Sequence, residues 1–316
     1  MTATIPLGIQ IHPQYASWDD IRETALLVDR LGYDYLTTWD HFVPLIGDAT
    51  GPNLEGWQIL AALGAVTKKV KIGMLVTGNT YRHPAVLANM AVTLDHITNG
   101  RAVLGLGGAW HEAEHKMYGI PFDTVPIRLA KLREASRIVR SLLDNERTTF
   151  AGKHYTITDA ICEPKPVQKK LPLMIGGGGE QVTLRVTARY ADIWHGFGGP
   201  DVVGRKIEIL KRHCEEVGRD FAEILPTTGG GAIVRDTEEG VRARLQAVAD
   251  HNRAAAPATP QPSSAFGSPE VVAQRLAAQW RAGVRGFVFG MSPPYDRETI
   301  ERLIGEVRPR LEQLVA

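Results

Sequence analysis

Short apolar runs alternate with amphipathic stretches along the whole chain. Leu7–Ile11 reads as a strand. Trp18–Leu31 follows with helical spacing at Ile21, Ala25, Val28 and Leu31, and Gly32 is a natural stop. Tyr33–Trp39 is a second strand, rich in β-branched and aromatic residues. The rhythm continues with a helix at 57–67, a strand at 70–76, a helix at 84–97 with proline in its first turn, and a strand at 102–106. Further helices fall at 127–143, 181–190, 202–217, 238–251, 269–282 and 298–314. Strands fall at 171–175, 192–195, 224–234 (interrupted by Gly229-Gly230-Gly231) and 286–289. Eight strands alternating with helices predict one domain over 1–316, a (β/α)8 TIM barrel of class α/β. A doubly wound sheet would ask for G-x-G-x-x-G after the first strand, and Gly8-Ile9-Gln10-Ile11-His12 does not supply it.

Two segments break the rhythm. Residues 145–170 are too long for a helix-to-strand turn and predict a hairpin insertion before strand 5, centred on Thr148–Tyr155. Residues 252–266 are rich in Ala, Pro and Ser and predict a mobile loop.

Composition narrows the function classes. With 44% hydrophobic and 22% charged residues among 316, the chain is an ordinary globular one. Its net charge of +1, with Lys and Arg scattered, argues against nucleic acid as a partner. The two cysteines, Cys162 and Cys214, form no CxxC, so neither a metal cluster nor a disulfide is expected. No segment approaches the roughly 20 apolar residues of a membrane span, and the first residues lack a signal-peptide pattern, so a cytoplasmic location is expected.

A barrel delivers the C-terminal end of every strand to one mouth. Here that mouth receives His12, Asp40, His41, Thr77–Thr80, Gly107–Trp110, Gly176–Gly179, His195–Phe197, Gly229–Gly231, Met291 and Ser292. Glycines, aromatics and histidines with few carboxylates suit a large flat ligand with an anionic tail. Ile175-Gly176-Gly177-Gly178-Gly179-Glu180 lies between a strand and a helix N-terminus, where free N–H groups cradle phosphate. Gly105-Leu106-Gly107-Gly108-Ala109-Trp110 reads as backbone lining a planar ring, with Trp110 as a stacking or wall residue; a core-capping tryptophan is the alternative. Arg82 and His83 read either as site residues or as a solvated pair beside a helix cap. His111 and His115, four apart, read as a solvated helix face, with no metal site expected. The absence of G-x-S-x-G, H-E-x-x-H and a P-loop argues against common hydrolase and NTPase chemistry.

These motifs together resemble the luciferase-like monooxygenase superfamily of flavin and deazaflavin barrels, over nearly the whole chain. They are Trp39-Asp40-His41-Phe42, residues 73–84 (GMLVTGNTYRHP), residues 105–115 (GLGGAWHEAEH), Ile175–Glu180 and Ala188–Asp192. The first leans toward the actinobacterial oxidoreductases that use coenzyme F420. The resemblance implies a hydride-transfer enzyme in which Asp40 and His41 touch the deazaflavin ring and His41 gives or takes a proton. It implies a bulge at Leu75-Val76, with a non-proline cis peptide, behind the ring, with Thr77 beside it. Gly108, Ala109 and Trp110 line the ring, and Gly176, Gly177, Gly178 and Gly179 hold phosphate. Asp40 is expected to fix the tautomer of His41 or to accept from a ring N–H. The branch that oxidises glucose 6-phosphate carries a catalytic glutamate after the fourth strand, where this chain has Trp110, so the substrate is left open. FMN with oxygen, in a monooxygenase of the same fold, is the alternative cofactor, and a non-catalytic flavin-binding barrel is a third reading. A homodimer is expected by the same likeness. Trp57, Trp194, Phe197, Phe289 and Tyr295 are the expected substrate-pocket residues.

Overall fold

A computed structural model describes residues 4–255 and 264–316. The strands β1 (Leu7–Ile11), β2 (Tyr35–Thr38) and β3 (Lys71–Met74) are followed by a two-residue continuation, β4 (Thr77–Gly78), and by β5 (Ala102–Gly107). Strands β6 (Thr148–Ala151) and β7 (Thr156–Ala160) pair antiparallel as a hairpin outside the barrel. The barrel resumes with β8 (Leu173–Gly176), β9 (Ile193–Gly196) and β10 (Leu225–Thr228). β11 (Ala232–Val234) and β12 (Ala265–Gly267) form a separate parallel pair, and β13 (Gly286–Met291) completes the set. All barrel neighbours are parallel, in the ring β1-β2-β3-β5-β8-β9-β10-β13, which closes where β13 meets β1. The structure is thus the (β/α)8 barrel that the alternation predicts.

The helices are α1 (Trp18–Leu31), α2 (Gly56–Val66), α3 (Pro84–Thr98), α4 (Glu112–Met117), α5 (Val125–Asp144), α6 (Thr183–Tyr190), α7 (Pro200–Val217), α8 (Glu238–His251), α9 (Pro269–Arg281), α10 (Arg297–Arg302) and α11 (Arg308–Val315). Local chemistry sets their ends. Ser17 and Asp20 form a capping box on α1, and Gly32 closes it in the left-handed conformation. Because helices cover the outside, the strands are buried on both faces and read as unbroken apolar runs; all six residues of β5 are buried.

Four expectations need correction. The strand expected at 70–76 stops at Met74, since the Leu75–Val76 peptide is cis and interrupts the ladder before β4. The strand expected at 224–234 is two: β10 stays in the barrel, while β11 leaves it to pair with β12. β12 falls at the end of the segment expected to be a mobile loop, and residues 256–263 of that segment lie outside the described residues. The last helix is divided by a wider π turn at Leu303–Val307. Cys162 and Cys214 are buried free thiols. Among the described residues, no helix is long and apolar enough to cross a membrane.

Candidate active site

The third barrel strand shapes the mouth. Its bulge turns Val76 against the backbone of β5 and β8, so that a Cβ at Gly107 or Gly176 would lie 2.8 or 2.9 Å from a Val76 methyl. Glycine at both positions lets three strands converge there. The side chain of Gln10, on β1, donates to the Leu75 carbonyl at 2.5 Å and holds the bulge from across the barrel. Above the bulge lies a cavity of about 410 Å³ lined by Asp40, His41, Leu75, Val76, Thr77, Gly108, Ala109, Trp110, Gly176 and Gly177. Gly178 and Gly179, grouped with them by the glycine run, are not in its lining. Gly178 lies instead against Lys206, whose Nζ would be 2.3 Å from a Cβ there. Trp110 is 64% exposed at the rim, which sets aside the core-capping alternative.

His41 leaves the end of β2 with its Nδ1 2.9 Å from Oε2 of Glu114, a fully buried residue on α4. Glu114 Oε1 accepts the backbone N–H groups of Phe42 and Val43 at 2.5 and 3.2 Å, and Oε2 also accepts the Tyr81 hydroxyl. Burial pushes this carboxyl up, but the hydrogen bonds from His41, Tyr81 and Phe42 outweigh it and hold the pKa at about 2. Glu114 is therefore a carboxylate at neutral pH, and His41 must donate through Nδ1–H. Its Nε2 has no partner among the described residues, on a ring that lines the cavity. Burial and the Glu114 bond push the Tyr81 hydroxyl up, so Tyr81 stays a donor.

Of the two roles expected for Asp40, orienting His41 is set aside. Its Oδ2 takes Arg82 at 2.6 Å, and Arg82 bridges on to Glu55 at 2.8 Å. Its other oxygen, Oδ1, is buried without a partner. Burial raises the Asp40 pKa to about 6 against the opposing pull of Arg82. An unpaired carboxylate oxygen in a ligand-sized cavity fits an N–H donor on a bound ring. Arg82 is thus a member of the site, while His83 caps α3 by accepting from the Ala85 N–H at 3.2 Å.

The solvated face expected for His111 and His115 is also corrected. His115 is fully buried, donates Nδ1–H to the His111 carbonyl at 2.8 Å and accepts from Thr80 at 2.7 Å through Nε2. His111 Nδ1 lies 3.8 Å from Glu114. Of the expected substrate-pocket residues, only Phe197 reaches the cavity. Trp57 is buried and donates to Thr77 Oγ1 at 3.0 Å, Trp194 and Phe289 are core, and Tyr295 is tied to the His12 carbonyl at 2.9 Å. Nothing in the sequence alone marks Glu114 or Tyr81 as site residues. Their one signal is position: Tyr81 lies within 73–84 and Glu114 within 105–115.

A family model described as luciferase-like monooxygenase matches residues 2–286. The chain is 33% identical over 204 residues to an F420-dependent glucose-6-phosphate dehydrogenase of Microbacterium testaceum, covering 64% of this chain and 59% of that protein. It is 26% identical to an FMNH2-dependent dimethylsulfone monooxygenase of Pseudomonas putida, covering 96% of this chain and 81% of that protein. In fold it matches the coenzyme F420 dependent tetrahydromethanopterin reductase of Methanopyrus kandleri with a TM-score of 0.82 at 20% identity, covering 98% of this chain and 100% of that one.

Proposed function

The chain belongs to the luciferase-like monooxygenase family, and from that premise we propose that it is a coenzyme F420-dependent oxidoreductase acting on a small organic molecule. The observation that carries the reading is the pairing, on one cavity wall, of a Glu114-oriented His41 with an Asp40 oxygen that lacks a partner. The likeness to the Microbacterium testaceum dehydrogenase supports the choice of cofactor.

The residues present fit such a cofactor. Asp40 Oδ1 offers an acceptor to a ring N–H, and the bulge at Leu75-Val76 with Thr77 forms a floor. Gly108, Ala109 and Trp110 flank the chamber, and the turn from Gly176 to Gly179 leads out of it toward Lys206, a setting for a phosphate. Bound F420 supplies a ring carbon that gives or takes a hydride and a ring nitrogen that gives or takes the accompanying proton. His41 handles that proton at Nε2, because Nδ1 is committed to Glu114. Glu114 stabilises the imidazolium when His41 is charged and keeps Nε2 pointed when it is neutral. Arg82 compensates Asp40, so the acceptor stays in a buried setting without moving toward His41.

A second reading, an FMN-dependent monooxygenase, is favoured by the likeness to the dimethylsulfone enzyme over nearly the full chain. Titration of the purified protein with F420 and with FMN separates the two. F420 is expected to bind at least tenfold more tightly, and His41→Ala is expected to retain F420 while losing turnover. Preferential FMN binding, or undiminished turnover in His41→Ala, would overturn the reading.

A further inference from the structure

A second cavity, of about 620 Å³, opens on the other side of the mouth and shares Gln10 and Phe197 with the His41 chamber. Its walls are mostly apolar and come from the Gly229–Gly231 backbone, Val248, Phe266, Val288 and Met291. The guanidinium of Arg244, also in the wall, sits 3.4 Å from Asp296, whose carboxylate Arg235 already holds at 2.9 and 3.0 Å.

Among the polar groups of the lining is His195, at the end of β9 and 2% exposed. Its tautomer can be read from its neighbour. Thr227 spends its single hydroxyl proton on the Trp194 carbonyl at 2.9 Å, so toward His195 it can only accept. His195 Nδ1, 3.0 Å away, must therefore carry the proton. Nε2 is left as a bare lone pair, without a partner among the described residues, on a ring that lines the cavity. Burial lowers the His195 pKa to about 4, so the ring is neutral at pH 7 and the lone pair persists. A carbonyl or ether oxygen brought to this point meets another acceptor, whereas a hydroxyl donates to it.

We propose that this second cavity receives the substrate as an apolar alcohol whose hydroxyl donates to Nε2 of His195. The proposal rests on the cofactor reading only in assigning the first chamber to the cofactor. His195 acts here in recognition, and His41 keeps its proposed role at the ring-nitrogen proton. Thr227 is the positioning residue, since its hydroxyl selects the tautomer.

Calorimetric titration of the F420-loaded protein with 1-indanol, 1-indanone and 1-methoxyindane tests this. One buried hydrogen bond corresponds to roughly a tenfold preference for the alcohol over both acceptor-only analogues. His195→Phe is expected to abolish the preference by weakening indanol alone. Selectively ¹⁵N-histidine-labelled wild-type protein gives a readout that needs no substitution: the Nε2 resonance of His195 should shift with indanol and not with indanone. Equal affinities, an unchanged preference in His195→Phe, a silent Nε2, or displacement of F420 by indanol would each overturn the proposal. If the protein takes FMN rather than F420, the cofactor reading fails alone, because the same titrations on cofactor-free protein still decide the alcohol preference.

Discussion

At the scale of single residues, the site turns on which carboxylate does which task. Asp40 is adjacent to His41 in sequence, which suggests a pair; in space Asp40 belongs to Arg82, and Glu114, 73 positions away, holds His41. The residue types of 111–115 did not say which glutamate turns inward. Glu112 is solvent-facing and pairs with Lys116 at 2.9 Å, two residues from the buried Glu114. The difference is set by the short helix α4, whose burial pattern is visible only once the barrel is closed. Glu114→Gln is expected to lower kcat about 10- to 1000-fold with KM little changed, because a neutral amide no longer stabilises positive charge on the imidazole. The variant should also be less stable. A depressed carboxyl pKa contributes stability that is present above the unfolded value and lost as pH falls toward the folded one, here between about 4.5 and about 2. Thermal melts of the two proteins should therefore differ at pH 7 and converge toward pH 3. Asp40 has the opposite sign. Its pKa of about 6 is raised, so its protonated form adds stability below the unfolded value of 3.8, and that contribution fades as pH rises through 6. A ring N–H needs the ionised form, so F420 affinity should fall about tenfold between pH 7 and pH 5. Fluorescence titrations should show this slope in the wild type and none in Asp40→Asn.

Elements were more legible than their ends. Apolar runs with caps and glycine stops found the barrel strands and most helices, because those signals are local. What escaped depended on partners far along the chain. β12 has only three residues, Ala265–Gly267, and exists as a strand because β11 lies beside it. α4 is six residues long and shows no apolar stripe of its own. The hairpin β6–β7 shows how a single distant residue fixes an element. Glu134, on α5, accepts the backbone N–H groups of Lys153, His154 and Tyr155 at 3.0, 2.9 and 3.0 Å. Tyr155 in turn donates to the Asn79 carbonyl at 3.3 Å, next to the mouth loop. Glu134→Ala should cost about 1–3 kcal/mol by leaving those donors unpaired. Hydrogen exchange should speed up at 153–155 while β1 and β13 keep their protection. Uniform acceleration across the barrel would show that the hairpin is not a local unit.

For the molecule as a whole, the barrel separates stability from chemistry along its axis. At the N-terminal face Asp29, at the end of α1, accepts the backbone N–H groups of Lys68, Lys69 and Val70 at 3.0, 2.7 and 2.9 Å, just before β3 begins. These bonds outweigh the effect of burial and hold its carboxyl below the usual range, so the staple is charged at neutral pH. Every donor in it is satisfied, which is what a structural carboxylate requires. At the opposite face Asp40 is buried with one oxygen unpaired, which is costly for stability and useful only to a ligand. The two aspartates should therefore respond in opposite ways to removal of charge. Asp29→Ala should lower stability by about 2 kcal/mol, seen as a Tm several degrees lower, with F420 affinity unchanged. Asp40→Asn should leave Tm within a degree or two, since relief of the buried charge offsets the loss of the Arg82 pair, while F420 affinity falls. Both quantities can be measured on the same preparations by differential scanning fluorimetry and cofactor titration. A loss of F420 binding in Asp29→Ala, or a collapse of Tm in Asp40→Asn, would mean that the two faces are coupled through β2 and β3 rather than independent.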